Sequence, residues 1–254
     1  MIKIGIIGGS GLDDPEILHK PVELRIETPY GKPSSVLTCG KIEGVDIAIL
    51  ARHGKKHTIR PSQVNFRANI WALKEYGCTH ILAATAVGSL REEIEPGHLV
   101  FPGQFIDFTR KREKTFFDED VVVHTPMAEP FCPNLRRLLA ESAQKLAIPH
   151  HSDKTVITIE GPRFSTRAES HMFRAWNADV INMSTVPEVN LAREMKIHYA
   201  SAAMSTDYDC WREGEESVTW EMILDTMRKN ADSVLHLFLH VIPKIKEYDD
   251  VCLD

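Results

Sequence analysis

The sequence predicts an α/β fold: one domain over residues 1–254, built on a mixed central β-sheet flanked by helices. Three observations carry this. Short apolar runs rich in Ile, Val and Ala alternate with longer amphipathic stretches along the chain. Several of those runs end in Gly, Arg, Thr, Ser or Asp, at the place where open α/β sheets bind ligands. No Pro/Ser/Gly-rich or charge-run linker divides the 254 residues.

Residues 4–7 read as a strand entering a glycine turn, Gly8-Gly9-Ser10-Gly11. Residues 45–51 read as a second strand, ending at Arg52-His53-Gly54. Residues 61–76 read as a helix, with Pro61 in its first turn, apolar Val64, Ile70, Trp71 and Leu73, and Gly77 as its stop. Residues 80–84 form a strand leading into Thr85-Ala86-Val87-Gly88-Ser89. A helix over 135–146 follows, then a strand over 155–159, closed by Glu160-Gly161-Pro162-Arg163. Residues 166–176 are expected as a helix, 179–182 as a strand, 186–195 as a helix and 198–204 as a strand. The chain closes on an amphipathic helix from about Thr219. Its stripe of Ile223, Leu224, Met227, Ala231, Val234, Leu235 and Phe238 reads as core packing.

Composition excludes several classes. The chain is 43% hydrophobic and 26% charged, with a formal charge of −6, which is ordinary for a soluble globular protein and argues against nucleic-acid binding. No apolar run approaches the roughly 18 residues a membrane span needs. Met1-Ile2-Lys3 leads directly into the first strand, which is unlike a signal peptide. The five cysteines (39, 78, 132, 210, 252) form no C-x-x-C, so neither a zinc ribbon nor a redox dithiol is indicated, and a reduced, cytoplasmic setting is expected. Of the twelve histidines none makes an H-E-x-x-H, and no metal site is expected.

The constellations lie at the strand ends. Gly9-Ser10-Gly11 fails the dinucleotide fingerprint, because Asp14 stands where the third glycine belongs. A tight turn and an anion-accepting loop are both compatible with it. Four strand ends offer anion-binding groups: Ser10; Arg52 with His53; Thr85 with the Ala86 amide; and Ser184. An arginine, hydroxyls and amides together suit a tetrahedral oxyanion such as phosphate. No Walker A loop is present, so the anion is not expected to be a nucleotide tail. The last strand runs into Asp207-Tyr208-Asp209. One carboxyl group of such a pair can hold a proton while the other accepts hydrogen bonds, which matches the N7 and N6 edge of a purine. A capped turn is the structural alternative.

Together these segments resemble one family. The motifs are Ile6-Ile7-Gly8-Gly9-Ser10-Gly11-Leu12, Ala51-Arg52-His53-Gly54, Asn69-Ile70-Trp71-Ala72-Leu73-Lys74, Thr85-Ala86-Val87-Gly88-Ser89-Leu90-Arg91, Pro126-Met127-Ala128-Glu129-Pro130-Phe131-Cys132, Ile159-Glu160-Gly161-Pro162-Arg163-Phe164-Ser165, Asn182-Met183-Ser184-Thr185-Val186-Pro187-Glu188 and Thr206-Asp207-Tyr208-Asp209. They resemble the methylthioadenosine phosphorylases, in the trimeric branch of the purine nucleoside phosphorylases, from residue 2 to about 245. The resemblance implies a phosphorylase/hydrolase-like fold, a homotrimer, and no metal or organic cofactor, with inorganic phosphate as co-substrate. It implies that Ser10, Arg52, His53, Thr85, Ala86 and Ser184 hold phosphate. It places the ribose on Met183, and the purine near Phe164 and Ser165, facing Asp207 and Asp209. The 5' group would meet Trp220, Ile223 and Leu224, and His124 would reach a neighbouring subunit's site. Ser10 and Ser184 stand where many relatives carry Thr, and Trp220 where a smaller aliphatic residue is common.

The implied reaction is phosphorolysis of a small nucleoside, methylthioadenosine plus phosphate giving adenine and 5-methylthioribose 1-phosphate. Arg52 and Ser184 would hold the phosphate below the sugar. Asp207 would give a proton to N7, a kind of assistance typically worth about 10²–10⁴-fold, with the Asp209 carboxylate raising the proton affinity of Asp207. His53 is expected as a donor that orients phosphate. The nearest rival is a relative preferring 6-oxopurine nucleosides or methylthioinosine; a nucleoside-binding sensor would not need the phosphate set.

Overall fold

The computed structural model describes residues 1–8, 17–117, 121–212 and 220–245. Nine strands are present among them: β1 (Lys3–Gly8), β2 (His19–Leu24), β3 (Leu37–Ile42), β4 (Val45–Ala51), β5 (His80–Ser89), β6 (Leu99–Phe108), β7 (His150–Ile159), β8 (Val180–Asn182) and β9 (His198–Asp207). The helices are α1 (Phe66–Tyr76), α2 (Pro133–Lys145), α3 (Arg167–Ala175), α4 (Thr185–Glu194) and α5 (Trp220–Ile245). The strands form one mixed sheet in the order β2-β3-β4-β1-β5-β8-β7-β6-β9, with β9 also paired to β5.

The parallel centre is β4-β1-β5-β9, in which Ile4 lies opposite both Ile47 and His80, and His80 opposite His198. These strands are apolar on both faces, as a sheet covered by helices on each side requires. Leu82 and Ala84 join Leu138 of α2 and Phe238 of α5 in one core. Ile81 and Ala83, pointing the opposite way by the two-residue period, join Leu73 of α1 and Val189 of α4 in the other. Of the expected α5 stripe, Ala231, Val234 and Phe238 are buried and Leu235 packs beside them. The sheet also closes on itself. β5 runs on to Gly88 and Ser89, which pair with β8; β8 pairs with β7, β7 with β6, and β6 with β9, which returns to β5.

Two departures from the sequence reading have clear causes. Residues 61–63 form a single 3-10 turn, Val64 is extended, and α1 begins only after Asn65, whose side chain accepts the Ala68 N–H. The asparagine cap, not Pro61, sets the helix start. Strands β2, β3 and β6 were not expected. β2 is exposed at every residue and so shows no alternation. β6 carries Pro102 and Gly103, and its pairing with β7 breaks register there. No helix of the described residues is long and apolar enough to cross a membrane.

Candidate active site

The carboxyl-terminal ends of β4, β5, β8 and β9 meet at one cavity of about 400 Å³. It is lined by Arg52 and His53 after β4, Thr85 and Ala86 in β5, Met183 and Ser184 after β8, and Asp207 and Asp209 at the end of β9. Phe164 and Ser165 line it from the loop after β7. Residues from five segments spread over most of the chain therefore share one space.

One end of the cavity is a set of donors. Arg52 is only 3% exposed. Its Nε and Nη2 donate to the two carboxylate oxygens of Glu188, each at 2.7 Å, and Nη1 donates to the Ala84 carbonyl at 2.8 Å. Glu188 is fully buried and also accepts the Tyr199 hydroxyl at 2.7 Å. Burial works against the charge on Arg52, and Glu188 outweighs it, so the guanidinium pKa is raised. The Thr85 and Ser184 hydroxyls lie 2.7 Å apart. Ser184 occupies the N-cap position of α4, yet its side chain makes no cap bond.

His53 completes this end. Its Nδ1 lies 2.9 Å from the Ile59 carbonyl, and its ring stacks on His57 with centroids 4.6 Å apart. Burial first, and the Arg52 charge second, lower its pKa to about 4.

The other end carries the carboxylates. Asp207 accepts the Asp209 N–H at Oδ1 and the Thr206 hydroxyl at Oδ2, both at 2.7 Å. Asp209 has a left-handed backbone, with φ of 50°. The Asp209 carboxylate is engaged by Ser165, whose hydroxyl lies 2.7 and 2.8 Å from its two oxygens. The main-chain N–H of Asp209 thus reaches Asp207, while its carboxylate is held by Ser165. Gly88 makes room for the pair, since a Cβ there would sit 3.0 Å from Asp207 Oδ1 and 3.3 Å from Asp209 Cβ. Gly161, at φ +68°, does the same for Met183, whose Sδ would lie 2.5 Å from an added Cβ.

Ser10 lies outside the described residues, as do the side chains of Trp220, Ile223 and Leu224 at the start of α5. His124 does not line the cavity. It sits in an exposed stretch beside Val122, which is 79% exposed. Among the described residues no three of His, Cys, Asp or Glu cluster so as to hold a metal ion. Sequence reasoning missed Glu188 as a functional residue: it is 136 positions from Arg52, and only its full burial beside an arginine marks it.

A donor-rich end and a carboxylate end in one cavity suit a ligand pair of an oxyanion and a base with hydrogen-bond donors. Comparison with known proteins agrees. The model of the phosphorylase superfamily matches residues 3–243. The S-methyl-5'-thioadenosine phosphorylase of Danio rerio is 58% identical over 253 residues, covering 98% of this chain and 90% of that protein. The structure of methylthioadenosine phosphorylase from Schistosoma mansoni in complex with adenine is 44% identical, with a TM-score of 0.93 over 98% of this chain and 93% of that one. A variant of the adenosine/methylthioadenosine phosphorylase of the same organism in complex with methylthioadenosine is 43% identical, with a TM-score of 0.92 over 98% and 93%. On fold, motif order and identity, the chain belongs to the phosphorylase superfamily, within its S-methyl-5'-thioadenosine phosphorylase family.

Proposed function

We propose that the chain cleaves 5'-methylthioadenosine with inorganic phosphate, giving adenine and 5-methylthioribose 1-phosphate. The observation that carries this is the single cavity joining Arg52, Thr85 and Ser184 to Asp207 and Asp209, in a chain 58% identical to a named methylthioadenosine phosphorylase. Phosphate would lie against Arg52, His53, Thr85, the Ala86 amide, Ser184 and Ser10. There its negative charge would oppose the positive charge that grows on the sugar as the glycosidic bond stretches. The ribose would rest on Met183. The adenine would lie by Phe164 with N7 and N6 toward Asp207, which would assist departure of the base. Ser165 and Asp209 would set the choice of base. Trp220, Ile223 and Leu224 would face the 5' group.

The reaction as written needs no organic cofactor and no metal, and the protein would act in the cytoplasm. A homotrimer would bring His124 to a neighbour's site; the exposed run Val121–Val123 beside it supplies apolar surface for such a contact. The deciding experiment is product analysis with and without phosphate. Adenine release should require phosphate, and the sugar should appear as its 1-phosphate. Equal release in phosphate-free buffer would make the protein a hydrolase. A trimeric mass by light scattering is expected, and full activity as a monomer would refute the assembly.

A further inference from the structure

The turn from β8 into α4 carries two cavity residues, Met183 and Ser184. A serine at a helix start ordinarily spends its hydroxyl on the N–H of the second or third helical residue. Ser184 does not, and the residues after it show why. Val186, the second, is extended, with φ −104° and ψ 131°. Pro187, the third, has no N–H to give. The Ser184 hydroxyl lies instead 2.7 Å from that of Thr85.

Asn182 closes the turn in its place. Its Oδ1 accepts the main-chain N–H of Ser184 at 3.4 Å and of Thr185 at 3.5 Å, the local bonding by which asparagine shapes turns. Those two bonds are long, and shorter ones fix the carboxamide itself. The Thr158 hydroxyl, from β7, donates to Oδ1 at 2.9 Å, and Nδ2 donates to Thr185 Oγ1 at 2.7 Å. Thr158 lies opposite Asn182 in the sheet. It is fully buried, and Asn182 and Thr185 are nearly so. The carboxamide therefore ties the turn both to the neighbouring strand and to the first residue of α4.

We infer that Asn182 is a positioning residue of the phosphorolysis: it holds the turn so that the Ser184 hydroxyl stays beside Thr85, free for the oxyanion. This rests on the phosphorolysis reading and deepens it. Asn182 acts through Ser184 and needs no contact with phosphate of its own. Without the carboxamide, the Ser184 and Thr185 N–H groups lose their acceptor, and the Thr158 and Thr185 hydroxyls lose a buried partner. The turn is then free to shift, and a shift of about 1 Å in a positioned group can cost about a hundredfold. A plain buried polar link would behave differently. Its loss would lower stability and leave phosphate binding as it was.

The test is a double-variant cycle on the full-length enzyme, with phosphate KM read at saturating methylthioadenosine and Tm read alongside. Ser184→Ala removes a hydrogen bond to a charged group and should raise phosphate KM by about tenfold or more. Asn182→Ala should raise it by about fivefold or more. Because Asn182 acts through Ser184, the double variant should lie within about twofold of Ser184→Ala alone. A double variant at the product of the two single effects would overturn the inference. So would an Asn182→Ala enzyme with lowered Tm and unchanged phosphate KM. Thr158→Val is the milder probe, for use where Asn182→Ala does not fold. It removes the hydroxyl that steadies Oδ1, and Thr158 does not line the cavity. It should raise phosphate KM by about threefold in the wild type and leave it unchanged in Ser184→Ala. Equal effects in the two backgrounds, or none in either, count against the inference, as does an unchanged phosphate KM in Ser184→Ala itself. Base release that needs no phosphate would instead overturn the phosphorolysis reading on which the inference rests.

Discussion

Replacing Asp207 by Asn separates the fold of the site from its chemistry. The two side chains have nearly the same shape. Asp207 accepts the Asp209 N–H at one oxygen and the Thr206 hydroxyl at the other, both at 2.7 Å. In Asp207→Asn the amide carbonyl can take the Asp209 N–H. The amide nitrogen can then donate to Thr206 Oγ1, whose own hydrogen turns to the Val87 carbonyl, already 3.2 Å away. Both anchors survive, so the stability cost should stay within about 1 kcal/mol, or roughly 2–4 °C in Tm for a chain of this size. What disappears is the acid at N7, worth about 10²–10⁴-fold. The assay is chromatographic release of adenine or hypoxanthine from methylthioadenosine and methylthioinosine at saturating phosphate. The wild type should favour the aminopurine by about tenfold or more in kcat/KM. The variant should lose at least about a hundredfold on methylthioadenosine, and its preference should narrow or reverse. A variant that melts normally and keeps kcat/KM on methylthioadenosine within about threefold would refute the role given to Asp207.

Arg52→Lys should raise the phosphate KM by about tenfold or more, because one ammonium cannot span Glu188 and the Ala84 carbonyl and still face the cavity; an unchanged phosphate KM would remove Arg52 from the anion site. Gly88→Ala places a Cβ 3.0 Å from Asp207 Oδ1 and 3.1 Å from Ile181 Cγ2, so kcat should fall while phosphate KM holds. Wild-type kcat in that variant would mean Asp207 has slack the structure does not show. The His53 ring titrates near pH 4 when folded, against an ordinary 6.5, so between those values the unfolded chain binds the extra proton. Stability is therefore complete above about pH 6.5 and falls as pH drops toward 4, by up to about 3 kcal/mol and less to the extent that water reaches the ring. Denaturant melts at pH 7 and 4.5 should show His53→Asn losing less stability on acidification than the wild type, and parallel losses would refute the assignment.

The parts legible in sequence are those with a local signature. The parallel strands announce themselves as short apolar runs because both faces are covered, and their polar ends sit at the cavity for the same reason. Arg52, Thr85, Ser184 and Asp207 could be found this way. β2 could not, since a strand exposed at every residue has no hydrophobic period to read. β6 could not, since Pro102 and Gly103 read as breakers and the sheet absorbs them as register shifts. For Asp209, spacing places two carboxylates near each other without showing which of its atoms meets which partner. Its main-chain N–H goes to Asp207 and its carboxylate to Ser165.

Glu188 shows why tertiary structure was needed. A guanidinium has five N–H donors. Glu188 from α4 takes two of them and the Ala84 carbonyl of β5 takes a third, which leaves at most two for an anion. The carboxylate is itself fixed by Tyr199 of β9, so three strands and a helix set the direction of one side chain. A fully buried ion pair of this kind is weak as a source of stability, because removing both charges from water offsets much of their attraction. Its geometric effect is larger. It turns a long, rotamer-rich side chain into a fixed fork, and the Glu188 carboxylate offsets part of the guanidinium charge. An anion held here gains from directed hydrogen bonds more than from net attraction, and directed bonds can tell one tetrahedral oxyanion from another where a bare charge cannot.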